Sequence, residues 1–293
     1  MRVGVLFPAT NDMHKNTLAA FLEGLDHLGI DCFSANIDSD YSTCDVAVIF
    51  GVGKKNVPIS YPRASVLLRQ REEGKRTIVL ERGYVNRESY FAAGWDGLNG
   101  RADFVNKNSP DDRWNDLGVP LIPHHNITEA RRRVLVCGQV PSDASVQNVD
   151  IFMWCQQAVA QLKNFGVPAQ DIVFRPHPLA YDRTPMIFGV KTSYEPLHVD
   201  LAKAHAVVTY NSNTAVEALI HGLLVYAADE GSMVWDVCKR KLREVLTHGA
   251  FPDRTQWAND LAYTQWTHEE MSKGLPFLHL TKHIAGAHNG EAD

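Results

Sequence analysis

The chain has 293 residues, 45% of them hydrophobic and 22% charged, and a formal net charge of −5. That length suggests two domains, and the composition excludes a disordered or fibrous chain. No apolar run is long enough to span a bilayer, so no membrane insertion is expected. The five cysteines (Cys32, Cys44, Cys137, Cys155 and Cys238) contain no C-x-x-C pair, which points to reduced thiols in a cytoplasmic protein and to no structural zinc.

The first apolar stretch, residues 2–7, is too short for a signal peptide and predicts a strand. Residues 9–16 read as a polar loop that carries Asp12. Residues 17–28 predict an amphipathic helix stopped at Gly29, with strands over 30–33 and 44–50 after it. The second of these runs into Gly51-Val52-Gly53, which lacks the spacing of a dinucleotide or Walker fingerprint. A helix over 63–73, stopped by Gly74, and a strand over 76–80 continue the alternation. Strand and helix alternating in this way predict an α/β fold of parallel sheets wound with helices. Ligands are expected at the strand tips, where helices begin.

From Glu81 to Phe104 the periodicity fails, and the stretch is dense in glycine, aromatic and charged residues. Such a loop after a parallel strand is a natural place to build a site. Glu81 ends a buried strand, and Asp96 sits between Trp95 and Gly97; both are candidate proton acceptors. The first 133 residues hold 17 basic and 17 acidic side chains, but residues 54–101 hold ten basic against five acidic. That local excess suits a polyanion. Over 69–76 it equally suits a solvated helix face of mixed charge. Arg82, Tyr84, Arg87, Trp95, Asn99 and Arg101 are the candidate acceptor-binding residues, although the aromatics have the alternative of packing the loop down.

Residues 129–133 form a charged linker. A strand over 134–137 then enters a small-residue loop containing Gly138, Gln139 and Ser142, suited to phosphate or sugar. A helix over 149–164 and a strand over 171–174 lead into Arg175-Pro176-His177-Pro178. Two prolines fix the backbone on both sides of His177, and a guanidinium with an imidazole suits a departing diphosphate. A strand over 206–209, a polar turn, a helix ending at Gly222 and a strand over 223–227 follow. The turn Asn211-Ser212-Asn213-Thr214 feeds a helix start, whose N–H groups and dipole favour phosphate. Glu217, one turn further in, is placed for ribose hydroxyls. An ordinary capped helix is the structural alternative. Residues 233–245 predict a last helix before a tail bearing Trp and His.

Gly138-Gln139, Arg175-Pro176-His177-Pro178 and Ser212-Asn213-Thr214-Ala215-Val216-Glu217-Ala218, in that order, resemble the donor domain of GT-B-type glycosyltransferases. The nearest likeness is to the capsule-polysaccharide and Kdo transferases and the related CDP-glycerol polymerases. The resemblance implies two facing Rossmann-like domains: an acceptor domain over 1–130 and a donor domain over 131–265, with a tail over 266–293. It implies a nucleotide-sugar donor (a UDP-sugar or a CMP/CDP-linked sugar) and no obligatory metal. Arg175 and His177 would face the diphosphate, Ser212, Asn213 and Thr214 the phosphate, and Glu217 the ribose. A first-domain carboxylate would take the acceptor proton, with Asp96 the first choice, Glu81 the second and Asp12 the third.

The stretch from Arg82-Gly83-Tyr84 through Gly94-Trp95-Asp96-Gly97 to Asp103-Phe104 resembles phage-encoded transferases that modify DNA bases. This implies an acceptor in double-stranded DNA, a hydroxymethyl-pyrimidine flipped onto the aromatics with its phosphates on the arginines, in a host cytoplasm. The acidic total charge runs against it. The alternatives are a capsule or envelope glycan as acceptor, and a non-catalytic nucleotide-sugar binding module or epimerase-like enzyme.

Overall fold

The computed structural model describes residues 1–38, 42–53, 61–124, 128, 130, 132–141, 143–146, 149–246 and 251–286. The strands are β1 (Val3–Phe7), β2 (Cys32–Asn36), β3 (Val46–Phe50), β4 (Arg76–Arg82), β5 (Phe91–Trp95) and β6 (Arg133–Cys137), then β7 (Ile172–Arg175), β8 (Lys191–Thr192), β9 (Ala204–Thr209), β10 (Leu224–Ala227) and β11 (Gln265–Trp266). The helices are α1 (Asp12–His27), α2 (Tyr61–Glu72), α3 (Asp112–Leu117), α4 (Ile151–Asn164) and α5 (Leu197–Lys203), then α6 (Thr214–Ile220), α7 (Thr255–Ala262), α8 (His268–Ser272) and α9 (Leu275–Gly286).

The chain forms two compact units, Met1–Leu117 with Asn259–Asp293, and Gly118–Ala258. Each has its own sheet among the described residues. In the first unit the order is β11-β5-β4-β3-β1-β2. The strands β1 to β4 are mutually parallel, and β5 lies antiparallel on β4. Chain order along this sheet reverses between β1 and β3. The second unit is parallel throughout, in the order β10-β9-β6-β7-β8. It reverses between β6 and β9, the arrangement of a dinucleotide-binding half. The fold class is therefore α/β, with two Rossmann-like units.

Apolar spacing explains the cores. In α1 Leu18, Phe21 and Leu25 recur at helical period and pack against Val5, Val48, Ile78 and Leu80. In α4 Cys155, Val159 and Leu162 do the same against Val134, Val136, Ile172 and Phe174. All five cysteines are free thiols, and burial pushes that of Cys155 up to about 12. No helix among the described residues is long and apolar enough to cross a membrane.

Four expectations change. Helix α1 begins at Asp12, within the expected loop, because Asn11 takes a left-handed φ of 79° and its side chain accepts the His14 N–H. Residues 91–95, read as loop, form the fully buried strand β5. There Gly94 hid the strand pattern, and a Cβ on it would lie 2.7 Å from the Phe104 ring. The expected tail completes the first unit, since β11 pairs with β5 and Phe277 and Leu280 of α9 enter that core. Residues 233–245 are turns and a short 3-10 segment rather than a helix, because Lys239 bridges to Tyr226 on the edge strand β10.

Candidate functional site

In open parallel sheets ligands bind beyond the carboxyl ends of the strands, where the strand order reverses. In the second unit this is the gap between the ends of β6 and β9. Gln139, after β6, donates to Asn211 Oδ1 at 2.8 Å, and the Asn211 backbone N–H donates back to Gln139 Oε1 at 3.0 Å. The Asn211 side chain also donates to Asp229 Oδ2, beyond β10, and to the Ser145 carbonyl, each at 2.7 Å. Gln139, Asn211 and Asp229 are buried. The two amides expected as donor contacts are thus braces between strand ends, and Asp229 is a third member that no motif announced.

These braces hold the turn before α6. Within it Thr214 N–H donates to Ser212 Oγ at 3.2 Å, and the Ala215, Val216 and Glu217 N–H groups donate to the Ser212 and Asn213 carbonyls. The expected N–H cradle for phosphate is therefore occupied by the chain itself. What remains toward solvent are the partly exposed side chains of Ser212, Asn213, Thr214 and Glu217. Gly138 links β6 to β7 through its N–H on the Arg175 carbonyl at 2.8 Å. Ser142 lies outside the described residues.

The end of β7 separates its two basic residues. Arg175, expected to face a diphosphate, is buried and pairs with Asp200 at 2.7 Å; it also donates to the Glu195 carbonyl. Ser193 Oγ donates to the other Asp200 oxygen at 2.8 Å. That guanidinium is a structural anchor, because a buried cation must be paired. His177 behaves differently. It is partly exposed, and its Nδ1 accepts the Leu179 N–H at 3.1 Å. That bond assigns the ring proton to Nε2.

In the first unit the reversal lies between β1 and β3. There the His14 ring, in the first turn of α1, stacks on Phe50 with centroids 4.0 Å apart and planes 16° apart. Its Nδ1 is buried without a partner. Burial and then the nearby Arg63 and Arg82 lower its pKa to about 4, so the imidazole is neutral. Glu81 and Arg63 converge on the turn at Gly51: a Cβ there would lie 3.5 Å from Glu81 Oε2 and 3.6 Å from Arg63 Nη1. Glu81 Oε1 accepts the Arg82 N–H at 2.9 Å, and Arg82 Nε donates to the sulfur of Met13 at 3.3 Å. Asp12 is exposed in the same first turn of α1. An open groove of about 450 Å³ at the ends of β1 and β2 is lined by Phe7, Pro8, Lys15, Ser34 and Asn36, among others. His14 and Arg63 escaped the motif reading; the signal for His14 was an Asn cap just after a first strand.

The other candidates of this unit scatter. Asp96 lies at the amino end of β4, four residues along the strand from Glu81, or about 13 Å. Its carboxylate accepts from Arg76 Nε and the Thr77 N–H, both at 2.7 Å. Asn99 and Arg101 follow it in a 3-10 turn. Tyr84 and Trp95 are core residues, 5% and 1% exposed, and the Trp95 indole donates to the Leu280 carbonyl at 3.1 Å. Neither ring is available to stack on a flipped base. Arg87 is exposed and donates to the Gly83 carbonyl at 2.9 Å.

No protein-family model and no curated protein matches the sequence. Among solved structures the chain is similar to the Thermosulfurimonas dismutans KpsC β-Kdo 2,4 transferase at 16% identity, with a TM-score of 0.56 over 91% of this chain and 92% of that one. It is similar to the KpsC β-Kdo 2,7 transferase of the same organism at 13% identity, with a TM-score of 0.56 over 95% and 99% of the two chains. The fold resembles the GT-B architecture expected from the three motifs.

Proposed function

We propose that the chain is a glycosyltransferase whose unit Gly118–Ala258 binds a nucleotide sugar and whose other unit binds the acceptor hydroxyl. The observation that carries this reading is the braced reversal between β6 and β9, where Gln139, Asn211 and Asp229 fix the turn Ser212–Thr214 at the carboxyl edge of the sheet. Fold alone does not assign chemistry, but this edge offers hydroxyl and imidazole donors to a diphosphate and a carboxylate, Glu217, to ribose. The donor is a UDP-sugar or a CMP/CDP-linked sugar. His177 stabilises the charge that grows on the leaving diphosphate, and Arg175 supports it by anchoring the strand end. On the acceptor side Glu81 and Asp12 share an edge with the β1–β3 reversal, whereas Asp96 does not.

The acceptor we favour is a capsule or envelope glycan, in keeping with the fold shared with two Kdo transferases. DNA bearing hydroxymethyl-pyrimidines is the second reading. Arg63 and Arg82, near His14 at the carboxyl edge, favour it, while the buried Tyr84 and Trp95 and the remote Arg101 remove much of its original support. The test is mass spectrometry of glycan fragments and of hydroxymethylated DNA after incubation with a panel of nucleotide sugars. Sugar-sized mass gain on a glycan supports the first reading. Gain on DNA, with binding that weakens steeply as salt rises, supports the second. No gain on either with any donor would overturn the transferase reading.

A further inference from the structure

The amino edge of the second sheet carries a surface that the transferase reading does not use. Helix α4 ends before β7 begins, so its last residues lie at that edge. Strand β8 is parallel to β7, so the chain must return to the same edge before β8 starts. The two segments meet there: a Cβ on Gly189 would lie 3.1 Å from Lys163 Nζ. The 3-10 segment Leu242–Leu246 joins them, with the Arg243 guanidinium 5.9 Å from the centroid of the Phe165 ring.

This surface is apolar where a solvated edge should be polar. Ile187 is buried in the core of the unit with Leu162 and Ile172, and it pins the returning chain. Met186 and Phe188, on either side of it, stand 74% and 96% exposed, and Phe165 beyond α4 is 40% exposed. A single exposed apolar side chain is ordinary, but several in one neighbourhood mark a surface that something covers. The setting is also basic. Residues 161–167 and 184–192 contain no acidic side chain, and residues 239–243 read Lys-Arg-Lys-Leu-Arg. Among the described residues Lys163, Lys191 and Arg243 are not paired with a carboxylate.

We propose that this edge docks the protein on an anionic lipid surface. Met186 and Phe188 enter the headgroup layer, while Lys163, Lys191 and Arg243 meet the lipid phosphates. Apolar side chains amid lysine and arginine are the combination that holds a protein at a bilayer interface. A second copy is a poor occupant, because a twofold contact sets a patch against itself and would bring these like charges together. Nucleic acid is a poor one too. Met186 has no ring to stack on a base, and the whole chain carries a net charge of −5. Such docking is independent of the transferase reading, and it leaves the carboxyl edge of the sheet at the far end of the strands.

The experiment is sedimentation of the full chain with vesicles of phosphatidylcholine alone and of phosphatidylcholine with phosphatidylglycerol. Wild type should bind the anionic vesicles and not the neutral ones, and rising salt should weaken that binding. Met186→Ser combined with Phe188→Ser should lower the partition coefficient at least about tenfold, since both apolar side chains leave the interface. Lys191→Gln and Arg243→Gln should each lower it about fivefold. All four positions are exposed, so melting curves should match wild type. Wild-type protein that stays in the supernatant with anionic vesicles would overturn the proposal. So would a Ser double variant that sediments like wild type, or binding that neither Gln variant weakens. A wild-type dimer that Phe188→Ser returns to monomer, without vesicle binding, would give the surface to a second copy instead. Capture by a DNA duplex but not by vesicles would give it to nucleic acid, and either result refutes the lipid assignment.

Discussion

The carboxyl edges of the two sheets are built on opposite plans. In the second unit the strand ends are laced together by side chains, with Gln139, Asn211 and Asp229 bonding one another and Arg175 locked on Asp200. In the first unit the same edge holds an unbonded imidazole, an arginine resting on a thioether and an open groove. A laced edge presents a fixed surface, as a site for a constant diphosphate requires. An unlaced edge leaves donors and acceptors for a partner to fill. Polar residues at strand tips therefore need sorting by what they already bond before any is given to a ligand.

The largest effect should come from undoing the lace. Arg175→Ala leaves Asp200 buried and unpaired, and removing one partner of such a pair typically costs about 3–5 kcal/mol. Urea unfolding should show a loss of this size; a variant as stable as wild type would return Arg175 to the list of ligand contacts. His177→Ala should act on rate rather than stability. Loss of one oriented donor to a developing charge costs on the order of 10²–10³ in kcat, about 2.7–4 kcal/mol, so unchanged turnover at saturating donor would make that ring a mere cap for the Leu179 turn.

The unlaced edge should show itself in acid. The pKa of His14 is about 4 in the fold against 6.5 in the unfolded chain. Between those values the unfolded chain binds more protons, so stability is fully present above pH 6.5 and falls as the pH drops toward 4. Melting temperatures across that range should fall less in His14→Phe than in wild type, and parallel curves would remove His14 as the cause. The smallest effect belongs to Asp96→Asn. Its side chain is 44% exposed and its pair with Arg76 lies at the surface, where such pairs contribute roughly 0–1 kcal/mol. Asn tolerates the φ of 62°, so turnover should stay at wild-type level. A collapse of turnover with normal stability would restore Asp96 as the base.

Much of the architecture was legible because burial and period go together. The apolar runs of β3, β4, β6 and β9 and the helical spacing of α4 announce themselves. β5 did not, since Ala92, Ala93 and Gly94 are small residues that carry no alternation, the last of them lying against the Phe104 ring. The candidate site was legible as a set of strand tips but not as a set of roles. Nothing in Arg-Pro-His-Pro reveals that Asp200, 25 residues later, captures the arginine while the histidine stays outward. Likewise Trp95 and Asp96 are neighbours in sequence, yet one closes the core through the Leu280 carbonyl and the other clamps Arg76 at the surface.

The return of the chain to its first unit has a consequence for biogenesis. The strand β11 and helix α9, which complete that unit, leave the ribosome only after the whole of Gly118–Ala258. During synthesis the inserted unit can close its own sheet while β5 still waits for its partner strand. Until Gln265 arrives, the Tyr84 and Val85 N–H groups that it later binds stay open to water. The nascent protein should therefore close the inserted unit before the first one, and limited proteolysis of stalled chains ending near residue 260 should spare the inserted unit while digesting the first 117 residues.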